Sequence, residues 1–133
     1  MSQDRIAFAR RALESVSRDR LQRLGEFLDP NVVWDTDPAA PEPGTYEGIE
    51  EVRVYLEGLS QAFGELEFEI HEVLETEAGI LGSTTAHGRG GVSGVDVALP
   101  WWFLVKIEND RITHIRSFLE QTRALEAARM PGE

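Results

Sequence analysis

The 133-residue chain carries 13 Lys and Arg against 24 Asp and Glu, for a formal net charge of −11, with 41% hydrophobic residues and no cysteine. That length fits one domain, residues 1–133, able to bury about two-thirds of its unfolded surface, and the apolar content excludes the composition of a disordered chain. The acidic balance excludes a surface that neutralises a phosphate backbone, so neither nucleic acid nor an anionic membrane is an expected partner. Without cysteine there is no disulfide, thiolate metal site or cysteine nucleophile.

The opening MSQDRIAFARRALESV lacks the continuous apolar core of a signal peptide, and no stretch approaches the roughly 20 apolar residues of a membrane span. A cytoplasmic location is therefore expected. Ile6, Ala9, Leu13 and Val16 recur at helical spacing and predict a helix with one apolar face. After an interruption at residues 17–19, Leu21, Leu24, Phe27 and Leu28 predict a second, shorter helix. Asp29-Pro30-Asn31 should stop it, because proline has no N–H to continue the ladder. Val32 to Asp35 reads as a short strand. Asp37 to Gly44 is too proline-rich for regular structure and is expected to form a flap. Ile49, Val52, Leu56 and Leu59 then mark a third helical face.

From Glu65 the period changes to two. Leu66, Phe68 and Ile70 alternate with Glu67, Glu69 and His71, predicting a strand with one buried face. A strand from about Ile80 to His87 follows, then the glycine-rich turn Gly88 to Gly94 and a long strand through Ile107. Glu108-Asn109-Asp110 should turn tightly into a last strand over Arg111 to Leu119, and residues 120–130 read as helical. Helices first and hairpin-linked strands later argue for an α+β fold, with a curved sheet around helices.

That order, carried by FLDPNVVWDTD (Phe27 to Asp37), GTYEGIEEVRVYL (Gly44 to Leu56), VDVALPWWFLVKIENDRITHIRSFLE (Val95 to Glu120) and ALEAA (Ala124 to Ala128), resembles the SnoaL-like branch of the nuclear transport factor 2-like superfamily. The resemblance implies a cone: a curved, mixed, mostly antiparallel sheet wrapped around N-terminal helices, with a pocket between its concave face and the helices. It also implies dimers formed through the other sheet face. The family includes ketosteroid isomerase, polyketide cyclases and limonene epoxide hydrolase, so the fold alone does not fix the chemistry.

Asp35 is the first catalytic candidate. It falls near the position of the isomerase's proton-shuttling aspartate, and its apolar neighbours could desolvate it and raise its pKa toward that of a general base. The alternative is a solvated, turn-forming Asp. The isomerase's other groups, a tyrosine and a protonated aspartate, fall near Arg11 and at Trp101, and neither offers the same O–H donor. The epoxide hydrolase's Arg-Asp-Tyr-like run reads Arg116-Ser117-Phe118, with serine in place of the carboxylate.

Trp101 shares a strand face with Val95, Val97, Leu99, Phe103 and Val105, a row expected to face the helices, so Trp101 and Phe103 are read as pocket wall or core. Trp102 and Leu104 lie on the opposite face, apolar at its middle, and are expected in a homodimer interface. Tyr55 and Tyr46 are candidate pocket aromatics, and Ser117 a candidate polar contact. Trp34 alternates with Asp35 and would face away from the pocket in a straight strand, yet beside a loop it stays a candidate contact. His87, near a hairpin end, is a second acid/base candidate, while His71 is read as solvated and His114 as a surface neighbour of Arg116. No histidines pair at metal-ligand spacing, and no motif indicates a metal or other cofactor. The glycine-rich turn lacks the Lys-Ser/Thr end of a phosphate loop.

The expectation is a protein that binds a small, largely apolar molecule, with candidate contacts Trp34, Tyr46, Tyr55, Trp101, Phe103 and Ser117. The alternative is an isomerase, cyclase or hydrolase using Asp35, with His87, on such a molecule.

Overall fold

The computed structural model describes residues 2–18, 24–38, 43–90, 94 and 96–129. In chain order these form α1 (Ser2–Arg18), β1 (Leu28–Asp35), β2 (Thr45–Glu47), α2 (Gly48–Phe63), β3 (Gly64–Glu75), β4 (Ile80–Gly90), β5 (Val97–Glu108), β6 (Arg111–Phe118) and α3 (Gln121–Arg129). The strands make one sheet in the order β2-β1-β6-β5-β4-β3. Only β1 and β6 pair in parallel; every other neighbour is antiparallel. The architecture is thus α+β with a mixed, mostly antiparallel sheet.

Local chemistry sets the boundaries. Gly64 ends α2 with φ of 77°, the left-handed turn that closes many helices and that a side chain resists. Asn109 and Asp110 both have positive φ, 51° and 60°, as a tight two-residue hairpin between β5 and β6 demands. Asp29-Pro30-Asn31 departs from expectation. These residues belong to β1, whose pairing with β6 is irregular between Leu28 and Val33. That irregularity accommodates a proline that cannot donate to the ladder. Of the short second helix, Leu24 is the last helical residue and residues 25–27 turn into β1; Leu21 lies outside the described residues.

One sheet face carries the main core. Helix α1 lies over β3 and β4, and α2 over β1, β2 and β3. Gly82 permits the close approach of α1, because a Cβ there would stand 2.7 Å from Leu13 Cδ1. Val32, Trp34, Tyr55, Trp101, Phe103, Ile112 and Ile115 are buried in this core. The opposite face holds a smaller apolar cluster, where α3 sets Ala124, Ala127 and Ala128 against Leu81 and Leu104, with Trp102 and Phe118 at its border. Among the described residues no helix is long and apolar enough to cross a membrane.

Candidate functional site

Strand pleating fixes which side chains meet inside. In β1, Val32 and Trp34 are buried while Val33 and Asp35 are only half-buried. The faces of Trp34 and Asp35 are therefore the reverse of those expected. Trp34 points inward, donating from Nε1 to Ser117 Oγ at 2.9 Å. Its ring meets Tyr55 and Phe103 edge-on, with centroids 5.4 and 6.1 Å apart. Tyr46 stacks on Tyr55 at 4.6 Å. Trp101 lies nearly parallel to Phe103 at 6.2 Å, and Phe68 meets both edge-on. The fold thus gathers Trp34, Tyr46, Tyr55, Trp101, Phe103 and Ser117 into one aromatic cluster, and adds Phe68.

Asp35 lies on the other face, beside the parallel β6 strand. Its Oδ2 is 2.7 Å from His114 Nε2, and its Oδ1 accepts from Thr45 Oγ1 at 2.7 Å. Burial pushes its pKa upward, but the Thr45 and His114 hydrogen bonds, with the charges of His114 and Arg116, hold it below the ordinary carboxylate value. The raised pKa expected of a general base is thus replaced by a shift of opposite sign. The cause is visible in the register: Val33 pairs with His114 and Asp35 with Arg116, bringing an imidazole and a guanidinium to the carboxylate.

His87 Nε2 is 3.0 Å from Glu69 Oε1 across the β3–β4 pair, and both side chains are largely exposed. That hydrogen bond is the main reason the Glu69 pKa is lowered. His71 is exposed and bonded to Thr85 at 2.7 Å. Among the described residues no group of three His, Asp or Glu is placed to hold a metal ion.

The aromatic cluster leaves little space. The core cavity, bounded by Leu13, Leu24, Trp34, Gly82, Phe103 and Ile115 among others, measures about 20 Å³ and is lined by apolar groups. That is room for about one water, and such a lining stays dry. Open grooves are larger. One of about 560 Å³ lies between α1 and the β5–β6 hairpin, over Phe8 and Ile107. Another, about 690 Å³, lies across the ends of β3, β4 and β5 and contains Phe68, His87, Arg89, Val97 and Ala98, with Glu14, Glu67, Glu69 and Asp96 as acidic groups. Phe68 connects this second groove to Trp101. Trp101 is 1% exposed, and among the described residues nothing accepts a hydrogen bond from its Nε1.

Two groups escaped the sequence reading. Asp37 is 3% exposed and its Oδ2 accepts the Leu119 N–H at 2.9 Å. His114 meets Asp35 across a parallel pair of strands, a contact between residues far apart in the chain that no local pattern announces. On the outer sheet face Leu104 is 4% exposed and covered by α3 of its own chain, whereas Trp102 is half-buried.

A family model for the SnoaL-like domain matches residues 9–115. The chain belongs to the SnoaL-like family. No curated protein matches it. Among solved structures, this SnoaL-like chain is similar to a nuclear transport factor 2-like protein of unknown function from Burkholderia pseudomallei, with 20% identity, TM-score 0.76, and 96% of this chain and 98% of that one covered. It is also similar to a cystatin-like fold protein of unknown function from Xanthomonas campestris, with 19% identity, TM-score 0.73, and 94% and 98% covered. TerC co-crystallised with polyporic acid matches at 12% identity and TM-score 0.76, over 93% and 97% of the two chains. At these identities the likeness is one of fold.

Proposed function

We propose that this SnoaL-like chain binds one small, largely apolar molecule bearing a hydrogen-bond acceptor, without using Asp35 as a catalyst. The observation that carries the reading is Trp101 Nε1–H, a buried donor with no acceptor among the described residues. Leaving such a donor unpaired costs about 1–3 kcal/mol, which a ligand oxygen would remove. The apolar part of the ligand would lie on Phe68, Val97 and Ala98 in the 690 Å³ groove. Sites for small organic ligands commonly measure about 300–1,000 Å³. The 20 Å³ core cavity is too small, so a ligand reaches Trp101 from the groove as the Phe68 ring turns aside. The co-crystallisation of TerC with polyporic acid supports ligand binding by this fold.

A catalytic role for Asp35 has less support. The carboxylate points away from the aromatic cluster and is held ionised by its partners. A base for proton abstraction needs reach to the substrate first and a suitable pKa second.

Binding of acetophenone and of α-methylstyrene, which replaces the carbonyl oxygen by a methylene of similar shape, tests the proposal. The ketone should bind about tenfold more tightly, equivalent to about 1.4 kcal/mol. Trp101→Phe should erase the difference. Equal binding of the two probes to the unmodified chain, or a preference that survives the substitution, refutes it.

A further inference from the structure

The 690 Å³ groove runs from an apolar inner end to an acidic rim. At the inner end Phe68 is 7% exposed and stands edge-on to Trp101, which is 1% exposed. At the rim Glu14 comes from α1 and Asp96 from just before β5. β3 is an edge strand, and the groove takes in Phe68 from one of its faces and Glu67 and Glu69 from the other. All four carboxylates are exposed. Among the described lining residues, Arg89 alone carries a permanent positive charge.

Local pairing does not neutralise this rim. Glu67 stands opposite His87 in the β3–β4 register, yet the imidazole lies 3.0 Å from Glu69 instead. Among the described residues no ion pair or side-chain hydrogen bond engages Glu14, Glu67, Asp96 or Arg89. Other acids of the chain do find arginines: Glu50 and Glu57 share Arg53, Glu75 meets Arg5, and Glu120 meets Arg123. Like charges gathered along a cleft with low-dielectric walls build a potential that attracts the opposite charge. Phe68, Val97 and Ala98 provide such a wall.

We propose, resting on the ligand binding at Trp101 put forward above, that the groove selects a cation: a molecule with an acceptor oxygen at one end, an apolar middle and an ammonium group at the other. The buried Trp101 donor sets the direction, because the oxygen must go inward and the far end is left at the rim. With the apolar middle on Phe68, Val97 and Ala98, that far end lies among Glu14, Glu67 and Asp96. An ammonium group there is attracted by the carboxylates while keeping water around it, so it escapes the cost of a buried charge. A carboxylate in the same place is repelled. Trp101 and Phe68 thus select for shape and acceptor, and the rim selects for charge.

Three acetophenones that differ only at the para position separate these contributions: the hydroxymethyl, aminomethyl and carboxylate derivatives, titrated calorimetrically at neutral pH. In about 0.1 M salt, the ammonium should bind about fivefold more tightly than the alcohol, and the carboxylate about fivefold more weakly. In about 1 M salt, where the Debye length is about 3 Å, the three affinities should converge to within about twofold. Glu14→Gln with Glu67→Gln should bring the ammonium-to-alcohol ratio below about twofold. Glu108→Gln, at the opposite end of β5, should leave that ratio unchanged and controls for the overall negative charge. An ammonium no tighter than the alcohol, or a preference that Glu108→Gln lowers as much as the groove substitutions do, overturns the charge selection. In that case, alcohol binding that weakens in Trp101→Phe leaves the Trp101 site standing without it. Failure of all three probes to bind overturns both.

Discussion

Removing the indole donor of Trp34 should cost more than the loss of its bulk, and the excess should be traceable to one hydroxyl. Trp34 is 3% exposed and its Nε1 donates to Ser117 Oγ, itself in a residue 2% exposed. Trp34→Phe opens a gap worth about 1.5–2 kcal/mol for the ring atoms lost from a packed core. It also leaves the Ser117 hydroxyl without its indole donor, for about 1–2 kcal/mol more. The sum is about 3 kcal/mol. Ser117→Ala alone strands the indole N–H and should cost about 1–2 kcal/mol. In the double variant neither group is stranded, so both stranding penalties vanish and its cost should fall about 2–4 kcal/mol short of the sum of the single costs. Urea denaturation of all four proteins, followed by far-ultraviolet circular dichroism, measures the cycle without relying on tryptophan emission. Additivity within about 0.3 kcal/mol would refute the coupling, and would leave Trp34 and Ser117 as polar groups free to face a ligand.

Other outcomes follow from single positions. The Asp35 pKa is lowered, so its stabilising contribution is present above the ordinary carboxylate value and is lost as pH falls through the lowered folded one. Asp35→Asn should therefore reduce stability at neutral pH, by less than about 1 kcal/mol because its half-buried side chain is partly screened by water, with no difference left in strong acid. Urea midpoints at several pH values check this, and a penalty that grows toward acid would contradict the sign. Gly79 has φ of 152°, and a Cβ there would meet Val105 O at 2.4 Å. Gly79→Ala should cost about 2–4 kcal/mol in thermal or urea unfolding; an unchanged transition would show that the turn is not so confined. Trp101→Phe removes a donor with no acceptor among the described residues, and should be milder in stability than Trp34→Phe by about 1 kcal/mol or more; equal losses would argue that Trp101 Nε1 already has a partner.

Much of the fold was legible because its signals are local. The period-two run from Leu66 to Ile70 and the positive-φ turn at Asn109-Asp110 each lie within a few residues of the structure they specify. The face of β1 was not legible. Asp29-Pro30-Asn31 reads as a helix stop, but the pairing of β1 with β6, across more than 80 residues of chain, draws it into a strand with an irregular register. That register decides that Trp34 points in and Asp35 out. The sites followed the same division. Trp101 and Phe103 were readable from an apolar row on one strand, whereas the Asp35–His114 and Asp37–Leu119 contacts depend on tertiary neighbours. The position of α3 on the outer face was also hidden, since an alanine-rich helix gives no indication of which sheet face it will cover.

The most direct measurement is an amide and indole ¹⁵N–¹H spectrum recorded while acetophenone is added. Three indole N–H resonances, from Trp34, Trp101 and Trp102, report three environments: bonded to Ser117, buried with no acceptor among the described residues, and half-buried on the outer face. The Trp101 resonance should move downfield and saturate as the ketone oxygen accepts its proton, with Trp34 held in place by Ser117. A saturating shift of Trp34 with Trp101 unmoved, or no saturating shift in any of the three, would contradict ligand binding at Trp101.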